Sequence, residues 1–213
     1  MEGKAEIYEK LEALAAETGF THFGPLKKEA LAVRTEVRDM CAANRCGMYG
    51  TSWVCPPGCG ELSELAEKLS KVTGGIILQS TGEMEDDFDF ESIAETEKLQ
   101  KERFAAFMEK LADVRGIGTA AEGAGQENAE TEEFGDARKS GEDSKRITFL
   151  PLSSGGCHIC QKCTYPDAPC RFPEKAFPSM EACGLVVNDV CKASGVPYNY
   201  GPRTMTFTGC VLY

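Results

Sequence analysis

Helical periodicity alternating with short apolar runs predicts an α/β or α+β protein: a small mixed sheet flanked by helices, carrying two cysteine-rich metal-binding loops. Three observations lead there. Apolar residues return at helical spacing in several separate stretches, β-prone runs such as Ile76-Ile77-Leu78-Gln79 lie between them, and most of the 11 cysteines fall in two glycine- and proline-rich segments. At 213 residues the chain is expected to fold as a single domain over residues 1–213.

The elements follow in order. Ile7, Leu11 and Leu14 mark a first helix, and Gly19 stands where it should end. Phe20 to Phe23 is short and β-prone. Leu26, Ala30, Val33, Val37 and Met40 predict one amphipathic helix that delivers Cys41 at its C-terminal end. Residues 41–60 lack periodicity and are rich in glycine, which predicts an ordered loop around a bound group. Leu62, Leu65, Leu69 and Val72 mark another helix, ended by Gly74-Gly75, which launch the strand at Ile76. Glu83 to Glu91 is acidic and predicted to be a surface loop; Ile93 to Val114 is the longest helix. Residues 116–146 contain almost no large apolar side chain and read as an acidic insertion that adds little core. A strand at Ile147 to Leu150 then leads into the second cysteine loop, residues 157–173. Ser179 predicts the N-cap of a helix from Met180 to Ala193 closed by Gly195, and Met205 to Leu212 forms a terminal strand.

Composition excludes several classes. A formal net charge of −11 argues against binding nucleic acid, which relies on clustered Lys and Arg. The charged N-terminal stretch is no signal peptide, and no run approaches the ~20 apolar residues of a membrane helix. A cytoplasmic location is therefore expected. There thiols stay reduced, and clustered cysteines point to metal or redox chemistry and not to a disulfide framework. No nucleophile–base motif, phosphate-binding loop or dinucleotide fingerprint is visible.

The second cluster, Cys157-x2-Cys160-x2-Cys163 followed by Cys170, puts three thiolates on one tight curl with a fourth a few residues on. That spacing suits a [4Fe-4S] cube; zinc sites more often use separated C-x2-C pairs, and zinc on the same four thiolates is the alternative. Gly155 and Gly156 let the backbone approach closely and offer amide donors to sulfur. In the first cluster Cys41, Cys46, Cys55 and Cys59 supply four further thiols, iron–sulfur or zinc again being open. Tyr49 and Trp53 either shield that metal or floor the loop. Cys183, Cys191 and Cys210 read as small core hydrophobes, the first two on one face of the last helix. His158 is expected to point outward between ligands, and His22 to be structural.

At these positions the chain resembles a known family. Cys41-x4-Cys46-x2-Tyr49-Gly50-x2-Trp53-x-Cys55-Pro56-Pro57 is similar to the signature of the "predicted metal-binding protein" family of anaerobic bacteria and archaea. Cys157-x2-Cys160-x2-Cys163, Tyr165-Pro166, Cys170-Arg171-Phe172-Pro173 and Pro178-Ser179-Met180-Glu181 resemble the same family's C-terminal motif. The resemblance implies metal binding of iron–sulfur type and no particular reaction. In the family pattern three N-terminal cysteines recur while the place of Cys59 varies, and a three-thiolate site would leave one iron open.

Three functions are therefore expected in order. The first is an electron-transfer or redox accessory protein with two [4Fe-4S]-type sites docking on a protein redox partner. The second is an enzyme using an open iron as Lewis acid. The third is a zinc-binding structural or metal-delivery module.

Overall fold

A strand that starts at Gly75, four residues after the preceding helix ends at Lys71, organises the molecule. A computed structural model describes residues 3–113 and 147–213, so the expected acidic insertion at 116–146 lies outside the described residues. In chain order the elements are α1 (Lys4–Glu17), β1 (His22–Leu26), a 3-10 turn (Lys28–Ala30), α2 (Thr35–Ala42), α3 (Leu62–Lys71) and β2 (Gly75–Glu83). After them come α4 (Phe90–Asp113), β3 (Leu150–Leu152), α5 (Val187–Ser194) and β4 (Thr204–Leu212). The fold is α+β. Among the described residues four strands form one sheet in the order β1-β2-β4-β3, and every pairing is antiparallel.

The central ladder runs from Gly75 opposite Leu212 to Glu83 opposite Thr204. Successive side chains of a strand point to opposite faces, so each face of this ladder carries its own core. Ile76, Leu78 and Val211 pack with Ile7, Leu11 and Ala15 of α1 and Phe104, Phe107 and Leu111 of α4. On the other face Ile77, Cys210 and Leu212 pack with Leu65 and Leu69 of α3 and Val190 and Cys191 of α5. Gln79 points into this second layer and is fully buried. Its amide donates to Pro197 O at 3.1 Å and Thr208 Oγ1 at 3.2 Å, and its carbonyl oxygen accepts from the Tyr200 hydroxyl at 2.7 Å. Each buried polar atom of Gln79 thus has a partner, which is what makes burial of an amide tolerable.

Two expected helices are shorter than their apolar spacing implied. The helix predicted from Leu26 to Met40 begins only at Thr35. Pro25 lacks an amide proton and sits on the edge strand β1, where a missing donor costs least, and the chain then turns through the 3-10 segment. Leu26 and Ala30 are still buried, whereas Met40 is 73% exposed and belongs to no core. The helix predicted from Met180 to Ala193 likewise begins only at Val187. Gly184 takes a φ of +78°, ending the turn that the Ser179 hydroxyl closes by accepting from the Ala182 amide at 3.1 Å. A Cβ there would meet Leu62 Cδ1 at 2.7 Å, so the turn also packs too closely for another residue. Cys183 and Cys191 consequently do not share a helix face, although both are fully buried as core residues. Gly195 closes α5 in the left-handed conformation, as its sequence position implied. The strand expected at 147–150 is found at Leu150–Leu152, leaving Phe149 to pack in the α1/α4 layer.

Burial pushes the Cys191 thiol up to about 11 from the ordinary 9.0. The folded state therefore holds this proton more tightly than the unfolded chain. Its contribution is fully present below pH 9, and on the order of 2–3 kcal/mol is lost as pH rises toward 11. Urea unfolding of the metal-free protein at pH 8 and pH 10.5 should show this fall, and Cys191→Ala should flatten it. Equal pH slopes for the two proteins would remove Cys191 as its source.

Candidate metal centres

Both cysteine loops are held at their bases by the folded layers. The first leaves the last turn of α2, which carries Cys41, and rejoins helix at α3, whose Glu64 carboxylate accepts from the Glu61 amide at 3.3 Å. The second opens and closes at one anchor beside β3. There the Ser153 amide donates to Pro178 O at 2.8 Å and the Met180 amide to Ser153 O at 3.3 Å. Phe177 then fixes the returning chain against Phe104 of α4, with ring centroids 6.0 Å apart.

The loops are also locked to each other. Trp53 of the first donates from Nε1 to Ala168 O of the second at 3.0 Å and meets the Tyr165 ring edge-to-face at 5.0 Å. Gly58 permits this contact, since a Cβ there would lie 2.5 Å from Ser52 O and 2.8 Å from the Tyr165 ring. Gly156 similarly leaves room for Met48, whose methyl would be 2.5 Å from an added Cβ. Val54, Cys55 and Ala176 form a small buried cluster at the junction, with Met48, Cys157 and Cys170 packed on it. Trp53 is thus a strut between the loops, and Tyr49 lies at the surface.

Cys157, Cys160, Cys163 and Cys170 line one cavity, together with Ser52, Thr164 and Ala176. The sequence spacing therefore does bring the four second-loop thiols to a common space. The Tyr165 amide donates to Cys163 Sγ at 3.5 Å, and the Ile159 amide bonds the Cys157 sulfur. Backbone N–H donors of this kind support thiolate sulfur at metal centres. Burial nevertheless raises the Cys157 thiol above its ordinary value, a cost that a bound cation would offset. The cavity is small, about 20 Å³. Among the described residues no three His, Cys, Asp or Glu side chains are gathered tightly enough to hold a single metal ion.

The first set is more dispersed. Cys41 is half-buried on α2, Cys46 is exposed, and Cys55 and Cys59 are buried. Burial raises the thiols of Cys41 and Cys55 and pushes Cys59 up to about 11. Cys59 Sγ points to Ala182 O at 3.9 Å, and its charge is felt by Cys183, on the turn before α5. Cys59 therefore faces the core as much as the loop. Cys183 lies on the side of the first loop and not of the second. His158 is exposed, with Nε2 4.0 Å from Glu97 Oε1. His22 stacks on Tyr200 with centroids 3.6 Å apart.

Arg38 is a site residue that loop spacing did not single out. It stands one helical turn before Cys41, a position that could have flagged it. Its Nη1 donates to Gly60 O at 3.0 Å across the neck of the first loop. Ser52 was also missed; its buried hydroxyl lies against the Cys55 thiol and lines the second-loop cavity.

The fold and these loops define an α+β protein whose sheet presents two interlocked cysteine loops on one junction. Residues 24–213 match the model of the family described as predicted metal-binding protein (DUF2284), and the chain belongs to that family. No curated protein and no solved structure matches it. Among the described residues no helix is long and apolar enough to cross a membrane.

The interlock predicts that Gly58→Ala separates the loops. Overpacking against a backbone carbonyl and a ring should cost ~1–3 kcal/mol. Metal content should fall at both loops, read by thermal melting and metal analysis of the purified variant. Unchanged metal content alongside a lowered melting point would mean that the loops bind independently.

Proposed function

We propose that the protein is an iron–sulfur electron carrier or redox accessory protein, with a [4Fe-4S] cluster on Cys157, Cys160, Cys163 and Cys170 and a second centre on the first loop. The observation that carries this reading is the convergence of all four second-loop thiols on one cavity, with amide donors on two of their sulfurs. A tetrahedral zinc ion with bonds of ~2.3 Å needs sulfurs about 3.8 Å apart. A cube spreads its thiolates more widely, and the four thiols surround one shared space. Seating a cube would spread the outer part of the loop, where Gln161, Lys162 and Pro166 to Pro169 are exposed.

When bound, such a cluster supplies one-electron chemistry; the chain supplies the thiolates, the amide donors and the exclusion of water. Val54, Cys55 and Ala176 pack behind Cys157 and Cys170 and close the site toward the interior. Ile159 and Phe172 line the cavity yet stay 44% and 38% exposed, which provides an apolar rim for a protein redox partner.

Anaerobically purified protein should be brown and contain iron and acid-labile sulfide, with absorption bleached by dithionite. A colourless protein with stoichiometric zinc and no sulfide would sink the reading. Cys170→Ala should keep the fold but give an oxygen-labile second cluster that shows a three-iron signal after brief oxidation. A cluster as stable as before would remove Cys170 from the ligand set.

A further inference from the structure

Arg38 is a half-buried side chain with two enclosed, unused donors at the neck of the first loop. Only Nη1 is engaged, on the Gly60 carbonyl at 3.0 Å. Nε and Nη2 are both buried and have no hydrogen-bond partner among the described residues. A guanidinium presents its donors in a fixed fork that matches anionic acceptors, and leaving a buried donor unmade costs about 1–3 kcal/mol. Two such donors on one side chain need a physical reason. The bond to Gly60 does not provide it, because a lysine could make that contact with fewer buried donors.

The surroundings supply a candidate acceptor. Arg38 stands one helical turn before Cys41, and its bond to Gly60 O sets the guanidinium beside Cys59, the residue before Gly60. Carboxylates nearby are placed otherwise: Glu64 turns to the Glu61 amide, and Glu181 is exposed. The groups best placed to use these donors are therefore sulfur atoms. Thiol sulfur is a weak acceptor, whereas thiolate or inorganic sulfide is a charged one. A divalent ion held by four thiolates carries a net double negative charge, which a loop buried in a protein of low dielectric must compensate.

We propose that Arg38 is the counter-charge of the first metal centre, a positioning residue whose Nε–H and Nη2–H hold the anionic sulfur gathered by Cys41 and Cys59 while Nη1 clamps the loop at Gly60. The proposal rests on metal binding at the first loop, and it holds for an iron–sulfur or a zinc centre alike. It also gives a reason for the burial of Cys59: the thiol lies on the side of the loop where the charge is.

Hydrogen-bonding partners behind metal ligands change metal affinity by about 10–100-fold when removed. The test compares the full-length wild type with Arg38→Gln and Arg38→Lys, purified anaerobically with their native metal. Metal release is followed with bathophenanthroline for iron and pyridylazoresorcinol for zinc, the second-loop metal serving as internal control. Arg38→Gln should release the first-loop metal about tenfold faster and leave the second unaffected. Arg38→Lys, which keeps the charge, should recover most of the retention while the two variants melt together in metal-free form. Wild-type release rates in Arg38→Gln would overturn the proposal. So would an Arg38→Lys protein as leaky as Arg38→Gln, since charge would then not retain the metal, or one whose retention recovers only in step with its metal-free stability, since the residue would then only clamp Gly60. A zinc-loaded wild type without sulfide would sink the iron–sulfur reading, yet the same release rates would still decide the role of Arg38. If Cys41→Ala leaves total metal unchanged, the first loop holds none and Arg38 has no centre to compensate, whatever the second loop binds.

Discussion

The pairing of β2 with β4 joins the middle of the chain to its C-terminal end, and both cores and both loops depend on it. One strand alone could not hold two layers, because its alternate side chains need a neighbour on each face to complete an apolar surface. With β4 in register, Val211 joins Ile76 and Leu78 on one face while Cys210 and Leu212 join Ile77 on the other. The ladder ends where the Tyr213 amide donates to Gly74 O at 3.0 Å. Beside β4, the short strand β3 positions Ser153, and Ser153 carries the second cysteine loop.

The cysteines fall into environments with different chemistry. Cys191 and Cys210 are enclosed by the α3/α5 layer, where desolvation keeps them protonated and inert. The second-loop cysteines are half-buried around a cavity, backed by the Val54, Cys55 and Ala176 cluster. The first loop bridges the two regimes, running from exposed Cys46 to buried Cys59, and Cys59 reaches Cys183 at the edge of the core. Within the first loop Arg38 stands beside Cys59, the loop cysteine whose thiol burial raises most.

The two large cores contain none of the loop-two cysteines. Only the small junction cluster of Val54, Cys55 and Ala176 draws on both loops. The layers thus bury their apolar side chains without drawing on the second-loop cysteines. The interlock through Trp53, Gly58 and Tyr165 couples the loops to each other more directly than to the sheet.

The sequence by itself determined the elements whose signal is local. α1, α3 and α4 follow from apolar spacing, β2 and β4 from β-prone runs, Gly195 as a cap from its position, and the second-loop cysteines as one set from their spacing. Membership of a metal-binding family was legible from the same residues. Tertiary structure alone decided where apolar spacing stopped meaning helix: Leu26 and Ala30 reach the core from a strand and a turn, and Gly184 divides the segment before α5. It also decided which side of the molecule Cys183 serves, and that Trp53 binds the opposite loop. The place of Arg38 one turn before Cys41 was local information, but the enclosure of its donors was visible only in three dimensions, because burial depends on residues distant in the chain. Local periodicity carries information over a few residues, whereas burial and partner choice are set by the packing of the whole fold.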